Sequence, residues 1–318
     1  MSNSVPNLEW NSVASSADGG KLVAVAQNGG VYTSTNSGGT WTLTTAPSLL
    51  GRSVASSADG TKLVAVAEGG GIYTSTNSGG TWTLATAPSL LWRSVASSAD
   101  GTELVAVAEG GGIYTSTNSG TTWMSNSVPK FEWNSVASSA DGSKLVASGN
   151  GGLIKTSTNS GTTWMSNSVP NLVEWVFVAS SADGSKLVAS DTSASGLIYT
   201  STNSGTTWMS NSVPKFVRWN SVASSTDGNK LVAVAYHGGI YISQTAPSPQ
   251  LNIAPSSSNL TLSWIVPSTN FVLQQNLDLT TTNWTDVTNT PTLNLTNLQD
   301  EVILSPTGAS GFYRLKTP

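Results

Sequence analysis

Residues Trp92 to Glu132 read WRSVASSADGTELVAVAEGGGIYTSTNSGTTWMSNSVPKFE, and the order of strand formers and chain turners in this stretch decides the fold. SVASS is followed by Asp100-Gly101, a strong short hairpin signal. LVAVA comes next, a Val-rich apolar run of strand length whose lack of alternation implies burial on both faces. The Gly-rich EGGG then breaks the chain and GIYTS resumes as a strand. TNSGT turns, and TWMSNSV forms a fourth strand ended by Pro129. The stretch predicts a four-stranded antiparallel meander, with strands A to D in chain order. A helical reading fails because no segment of ten residues is free of Gly, Pro or β-branched clusters.

The same sentence is written several times. SVASSADG begins at Ser12, Ser53, Ser94 and Ser135, as VASSADG at Val178, and as SVASSTDG at Ser221, which makes six units. STNSG-x-TW begins at Ser34, Ser75, Ser116, Ser157 and Ser201, with starts spaced by 41, 41, 41 and 44 residues. A period near 41 fits propeller blades and helical arrays alike, and the strand pattern selects the first. One such sheet cannot bury both faces alone, but copies stacked around a ring do so and leave no unpaired end. The expectation is therefore an all-β chain whose residues 1–246 form a six-bladed β-propeller of four-stranded antiparallel blades.

The sixth unit has strands A, B and C near Trp219 to Ser225, Lys230 to Ala235 and Gly239 to Ser243, and then runs into QTAPSPQ without a D strand. The opening MSNSVP aligns with the D strands that start at Met124, Met165 and Met209. Pairing of this N-terminal strand beside strand C of blade six would complete that blade, close the ring and remove both edges. The recurring Met also allows Met1 to be an internal start in a longer gene. Closure is the expectation taken forward.

Composition removes several classes of function. Only 9% of residues are charged, the net charge is −4, Cys is absent and His occurs once. Such a chain offers little to a phosphate backbone, has no disulfide framework, and cannot assemble a thiolate or histidine metal site. No apolar run approaches the roughly 20 residues that span a bilayer, and residues 1–30 lack the charged and apolar regions of a secretory signal. No cofactor, metal, nucleic-acid partner or membrane span is expected.

Ser34 to Trp41 (STNSGGTW) and its four copies resemble the Asp-box, S-x-D-x-G-x-T-W, of sialidases, xyloglucanase-type glycosidases, sortilin ectodomains and photosystem II assembly-factor propellers. Asn36, Asn77, Asn118, Asn159 and Asn203 stand at the Asp position, and Trp41, Trp82, Trp123, Trp164 and Trp208 close each box. The resemblance implies a hairpin between strands C and D, in which the polar side chain bonds turn amides and the Trp packs between sheets. Asn can accept the same bonds, so these residues are expected to be structural. The families that carry the box are hydrolases, receptors and chaperone-like binders, so the resemblance selects no chemistry.

A catalytic acid and base need different environments, so an enzyme must break the symmetry of such a ring. Asp18, Asp59, Asp100, Asp141, Asp183 and Asp227 are repeated turn residues; Glu9, Glu132 and Glu174 recur before a repeated Trp, and Glu68 and Glu109 share a slot. Within the repeat this leaves Glu103 and Asp191, which do not make a glycosidase pair. The R-I-P motif that sialidase membership would imply is absent. A non-catalytic module is expected, with an exo-acting sialidase-like or xyloglucanase-like glycosidase and a protein-binding scaffold as alternatives.

The B–C and D–A loops should emerge on one face and the Asp-Gly turns and boxes on the other. The first face varies most in blades five and six, through Asp191, Thr192 and Ser193, through Lys215, Phe216 and Arg218, and through Tyr236 and His237. An aromatic platform with mixed polar groups suits a glycan or a surface protein, and these eight residues are the candidate ligand site. The Trp that opens strand A, at Trp10, Trp92, Trp133, Trp175 and Trp219, with Gly51 in its slot in blade two, reads as inter-blade packing.

Residues 247–318 leave the repeat. LNIAPS, NLTLSWIV, NFVLQQNLDL, NWTDVTN, EVILS and GFYRLK predict the strands of a small β-sandwich. LSW, FVLQQNLDL, NWTDV and FYRL resemble the fibronectin type III-like tail of exported bacterial surface proteins, which implies an extracellular or cell-surface spacer with Trp264, Trp284 and Phe312 in its core. The whole is expected to be a monomer.

Overall fold

The computed structural model describes residues 5–47, 50–151, 153–167, 175–191, 196–211, 217–244, 251–256, 258–265, 271–294, 299–305 and 311–316. The chain divides into two compact units, Met1–Ser243 and Gln244–Pro318.

The first unit is a succession of antiparallel meanders. The A strands are Trp10–Ser15, Gly51–Ser56, Leu90–Ser97, Trp133–Ser138, Trp175–Ser180 and Trp219–Ser224. Each pairs with a B strand, respectively Leu22–Ala26, Leu63–Gly70, Leu104–Glu109, Leu145–Gly149, Leu187–Asp191 and Lys230–Ala235. C strands follow in all six units, and D strands of two or three residues in the first five. The A–B turn is built by its own side chains. In blade one Gly19 N–H donates to Ser16 O at 3.0 Å, the Ser16 hydroxyl donates to Asp18 Oδ1 at 2.6 Å, and Asp18 Oδ1 accepts the Gly20 N–H at 2.9 Å. The same Ser-Asp bonding recurs in the other five turns.

Burial on both faces of the B strands explains the unbroken LVAVA run. Val64, Val66 and Ile72 of blade two pack into one cluster with Trp92, Val95, Leu104 and Ala106 of blade three, and analogous clusters join each consecutive pair of blades. A polar thread runs beside this core. Ala17 N–H donates to Ala58 O, Ala58 to Ala99, Ala99 to Ala140, Ala140 to Ala182 and Ala182 to Thr226, all at 2.7 or 2.8 Å. Blades two and three are further sewn together where Glu68 pairs Leu91 and Gly70 pairs Leu90.

The strand expected to close the ring falls on Met1 to Ser4, which lie outside the described residues. Among the described residues blade six has three strands, the third being Ile240–Gln244, and none pairs beside that third strand. Val5 to Glu9, the described part of the N-terminal phrase, carries no strand. Its end joins blade one: Gln27 N–H donates to Glu9 O at 2.8 Å, and Val5 lines a depression with Trp10, Val13, Ala24 and Trp41. The same bond recurs where the N–H groups of Glu68, Asn150 and Tyr236 donate to Leu50 O, Glu132 O and Arg218 O. The outer faces of the terminal blades are open. Val13 is 66% exposed although Val54, Val95 and Val136 in the same slot are each 5% exposed, and Ile240 and Ile242 are 71% and 72% exposed.

The second unit contains two sheets, one with strands Asn252–Ser256, Asn259–Ile265, Gln299–Leu304 and Thr292–Asn294 in spatial order, the other with Thr285–Asp286, Val272–Asn276 and Phe312–Lys316. Leu262, Trp264, Leu273 and Val302 form its core. Of the three aromatic residues expected in its core, Trp264 is buried there and two are not. Phe312 is 37% exposed, and Trp284 is half-buried beneath Arg314, whose guanidinium carbon lies 4.2 Å from the ring centroid. Period-two alternation explains Phe312: Tyr313 and Leu315 take the inward positions of that strand, which leaves Phe312 facing out.

Candidate functional site

The B–C turns and the D–A connections lie on one edge of the repeat unit. Bridges between Gln27 and Leu50 and between Gly111 and Phe131 tie the two loop classes together. The Asp-Gly turns and the boxes share the opposite edge, where Ser37, Ser78, Ser119, Ser160 and Ser204 donate their N–H groups to Gly20, Thr61, Thr102, Ser143 and Ser185.

On that second edge side chains saturate their own backbone. Ser34 Oγ donates to Asn36 Oδ1 at 2.9 Å and accepts the Gly38 N–H at 3.0 Å, and Asn36 Oδ1 accepts the Thr40 N–H at 2.9 Å. Asn77, Asn118, Asn159 and Asn203 repeat the arrangement. The indole N–H groups of Trp123 and Trp164 donate to Gly120 O and Gly161 O at 3.1 and 3.0 Å, while Trp41, Trp82 and Trp208 are half-buried. Asp100, Asp141 and Asp227 are held down at about 2, chiefly by the Ser hydroxyls they accept from and then by turn N–H groups. Glu103, in a slot that holds Lys in the other units, is pushed up by burial and secondarily by the charge of Asp100.

The first edge is assembled by irregularity. Every A strand carries a bulge, at its second residue in five blades and at its fourth in blade three: Asn11, Arg52, Arg93, Asn134, Val176 and Asn220. An extra residue at a bulge is released from the pleat and re-aimed; Arg52, Arg93 and Asn134 meet residues at or just past the end of their own B strands, while Asn11 Nδ2 donates to Gly51 O of blade two at 2.6 Å. Arg52 is paired with Glu68 and Arg93 with Glu109 through short ion pairs, and Arg93 Nη1 also lies 3.8 Å from Glu68. Arg93 therefore bridges two blades. In blade four Asn134 Nδ2 donates to Asn150 Oδ1 at 2.7 Å and Asn150 Nδ2 to Glu132 Oε2 at 2.6 Å.

Blade six ends the row with an aromatic group. Tyr236 N–H donates to Arg218 O at 2.7 Å, the Arg218 guanidinium carbon stands 5.8 Å from the Tyr236 centroid, and the Tyr236 and His237 rings meet edge to face at 4.2 Å. Tyr236 is 58% exposed. His237 has φ of 51°, a left-handed conformation that Gly69, Gly110 and Gly151 occupy in the same slot. Arg218, Tyr236 and His237 are thus brought together as expected from their loops. Thr192, Ser193, Lys215 and Phe216 lie outside the described residues.

Asp191 is the exception among the described candidates. It is fully buried, because strand B of blade five runs through it and its N–H donates to Leu197 O at 2.9 Å. Its charge helps burial to push the Tyr199 hydroxyl up, with burial the larger cause. Asp191 is therefore an internal residue of blade five and not part of an exposed platform. The blade-five loop still reaches the next blade, where the Trp219 indole N–H donates to Gly196 O at 2.6 Å. The strand-A Trp residues are packing residues where they are described within the array: Trp92 and Trp133 are fully buried and Trp219 almost so, with Trp92 and Trp219 edge-on to Tyr114 and Tyr241.

The Arg52, Glu68, Arg93 and Glu109 row was absent from the sequence-derived site. Each Arg and its Glu are 16 residues apart, and they face each other only once the hairpin register and the bulge are known.

No family model matches the chain, and no curated protein matches it. Solved structures do. A GH74 enzyme of Niastella koreensis is 23% identical with a TM-score of 0.58, and the match covers 74% of this chain and 36% of the enzyme. YCF48 bound to D1 peptide is 19% identical with a TM-score of 0.58 over 78% of this chain and 82% of that one. The β-propeller domain of Myceliophteria thermophila Cps50 (Swd1) is 15% identical with a TM-score of 0.60 over 74% and 84%. The chain thus spans about a third of the GH74 enzyme and most of the other two. Likeness at these identities speaks for the fold, and together with consecutive antiparallel meanders packed face to face it makes this chain a β-propeller protein.

Proposed function

We propose that the propeller is a non-catalytic recognition module of an exported protein, and that its ligand lies along the edge formed by the bulge residues, with Tyr236 as its aromatic anchor. The observation that carries this reading is the Arg218, Tyr236 and His237 group. An exposed ring flanked by a cation and an imidazole, with His237 held in a left-handed turn where Gly is the unstrained choice, presents a rigid apolar face with polar groups at its rim. A carbohydrate fits that chemistry, because sugar rings stack on aromatic faces and their hydroxyls find the flanking donors. The C-terminal unit serves in this reading as a fibronectin type III-like spacer.

A second reading, a protein-binding scaffold, is favoured by the alternating charges of Arg52, Glu68, Arg93 and Glu109, which suit an extended peptide, and by the likeness to YCF48 bound to D1 peptide. An exo-glycosidase reading rests on the GH74 likeness. It draws little from the site, since Glu68 and Glu109 are each closed onto Arg and the raised carboxyl of Glu103 lies toward the opposite edge. A glycan array probed with the full chain and with Tyr236→Ala tests the proposal. Binding that Tyr236→Ala weakens at least tenfold is expected; binding to no glycan, or binding indifferent to the substitution, refutes it.

A further inference from the structure

The open faces of blades one and six are unlike the ends of a capped array. Terminal repeats of stacked proteins ordinarily turn polar on their outer face. Blade six does the reverse: Ile242 stands where Thr33, Thr74, Thr115, Thr156 and Thr200 stand in the other blades, and it is exposed beside the equally exposed Ile240. Val232 and Val234 lie on the same face, in slots where Val23, Val25, Val64 and Val66 are buried against the following blade. Blade one opposes this with Trp10, Val13, Ala24 and Trp41 around an open depression of about 350 Å³.

We propose that these faces are the two halves of the interface already repeated between consecutive blades, and that blade six of one copy of this chain seats on blade one of a second copy, head to tail. Three registers inside the chain specify the fit. First, a Cβ built on Gly60, Gly101, Gly184 or Gly228 would fall 2.7 to 2.8 Å from the Cβ of Lys21, Lys62, Lys144 or Lys186 of the preceding blade, so each Lys stem lies across the next turn. Lys144 and Lys186 then donate to Asp183 O and Asp227 O at 2.9 and 3.1 Å. Gly19, the same position in blade one, has nothing within 4 Å, and Lys230, the same Lys in blade six, is exposed. Lys230 and the Asp18-Gly19 turn are complementary in charge and shape.

Second, the N–H groups of Val54, Val95, Val136 and Val178 donate to the hydroxyls of Ser12, Ser53, Ser94 and Ser135 in the preceding blade at 3.2 to 3.3 Å. The next pair in this series is Val13 N–H with Ser221 Oγ of another copy. Third, the backbone thread that ends on Thr226 O leaves the Thr226 N–H to donate to Ala17 O of another copy. The chain's own two faces stand apart in the structure, with Val13, Ile240 and Ile242 all open to solvent, which is why a second copy is the occupant. A contact between two different faces continues until a ring closes, so species beyond dimers follow. This departs from the monomer that the sequence suggested.

Sedimentation velocity of the full chain over a concentration series should show species larger than one chain that grow with concentration. Val13→Asp and Ile242→Asp, both at exposed positions, should each return it to single copies with unchanged circular dichroism. Cysteines give the register, since the native chain has none. Gly51 takes the Trp10 slot in blade two, and a Cβ built there lies 3.3 Å from the Cβ of Val25, the counterpart of Val234, close to the 3.5 to about 4.5 Å of a disulfide. Mixing Trp10→Cys chains with Val234→Cys chains under mild oxidation should give a covalent pair that neither forms alone, and the double variant should give a ladder. One chain at every concentration, association indifferent to Val13→Asp, or a double variant that cyclises within one chain overturns the proposal.

Discussion

Val13 and Val95 offer an internally controlled measurement, because the same side chain occupies the same slot at two very different exposures, 66% and 5%. Val95→Ala removes two methyl groups from a cluster that includes Trp92, Leu104 and Ala106. At about 0.8 kcal/mol per buried carbon the transfer loss is about 1.6 kcal/mol, and the cavity left between two rigid sheets raises the total to about 2–3 kcal/mol. Val13→Ala keeps about a third of that transfer loss and opens no cavity, so about 0.5 kcal/mol is expected. Guanidinium unfolding of both variants, at a dilution where wild type sediments as one chain, measures the difference through midpoints at constant slope. Equal losses within 0.5 kcal/mol would show that Val13 is covered within its own chain, and the description of an open first blade would fall.

The box serine should matter more than its neighbour. Ser116 accepts the Gly120 N–H at 2.9 Å in a buried position, so Ser116→Ala strands that donor and should cost about 2 kcal/mol, whereas Thr117→Ala should change the urea midpoint little. Acid should weaken the fold through the six turn aspartates, whose folded values lie below the ordinary carboxylate value, at about 2 for Asp100, Asp141 and Asp227. The unfolded chain then binds more protons, so this stability is complete above about pH 4 and is lost as pH falls from about 4 to 2; a midpoint that rises over that interval contradicts the assignment. His237→Gly relieves a left-handed residue and should raise stability by about 1 kcal/mol while weakening ligand binding, and a thermal melt with no gain would argue against strain at that turn.

The strands were legible because their signals are local. Asp-Gly with a Ser two residues earlier builds its own turn, LVAVA announces burial on both faces, and S-x-N-x-G-x-T-W carries every atom its hairpin needs. What stayed hidden is set by register. The bulge at Arg93 carries no Gly or Pro, and the Gly51 beside Arg52 stands in a slot that reads as Trp packing, so nothing marked the residues that the structure turns toward Glu68 and Glu109. Asp191 looked like a loop residue because its loop is the longest, yet the ladder runs on through it and buries it. The match between MSNSVP and the D strands showed what the N-terminal phrase resembles, but not that Val13 of blade one and Ile240 and Ile242 of blade six would stand open to solvent.

Gly51 sets an order of failure in this array. Trp92, Trp133 and Trp219 each key their blade into the one before it, but between blades one and two the place is taken by a glycine backbone resting against Val25. With one face open and its remaining junction lacking the indole, blade one is the segment least held by its neighbours. Heat, denaturant or a pull on the N-terminus should therefore peel it away as a unit while the blades behind it stay stacked, so that this protein loses its structure from one end inward.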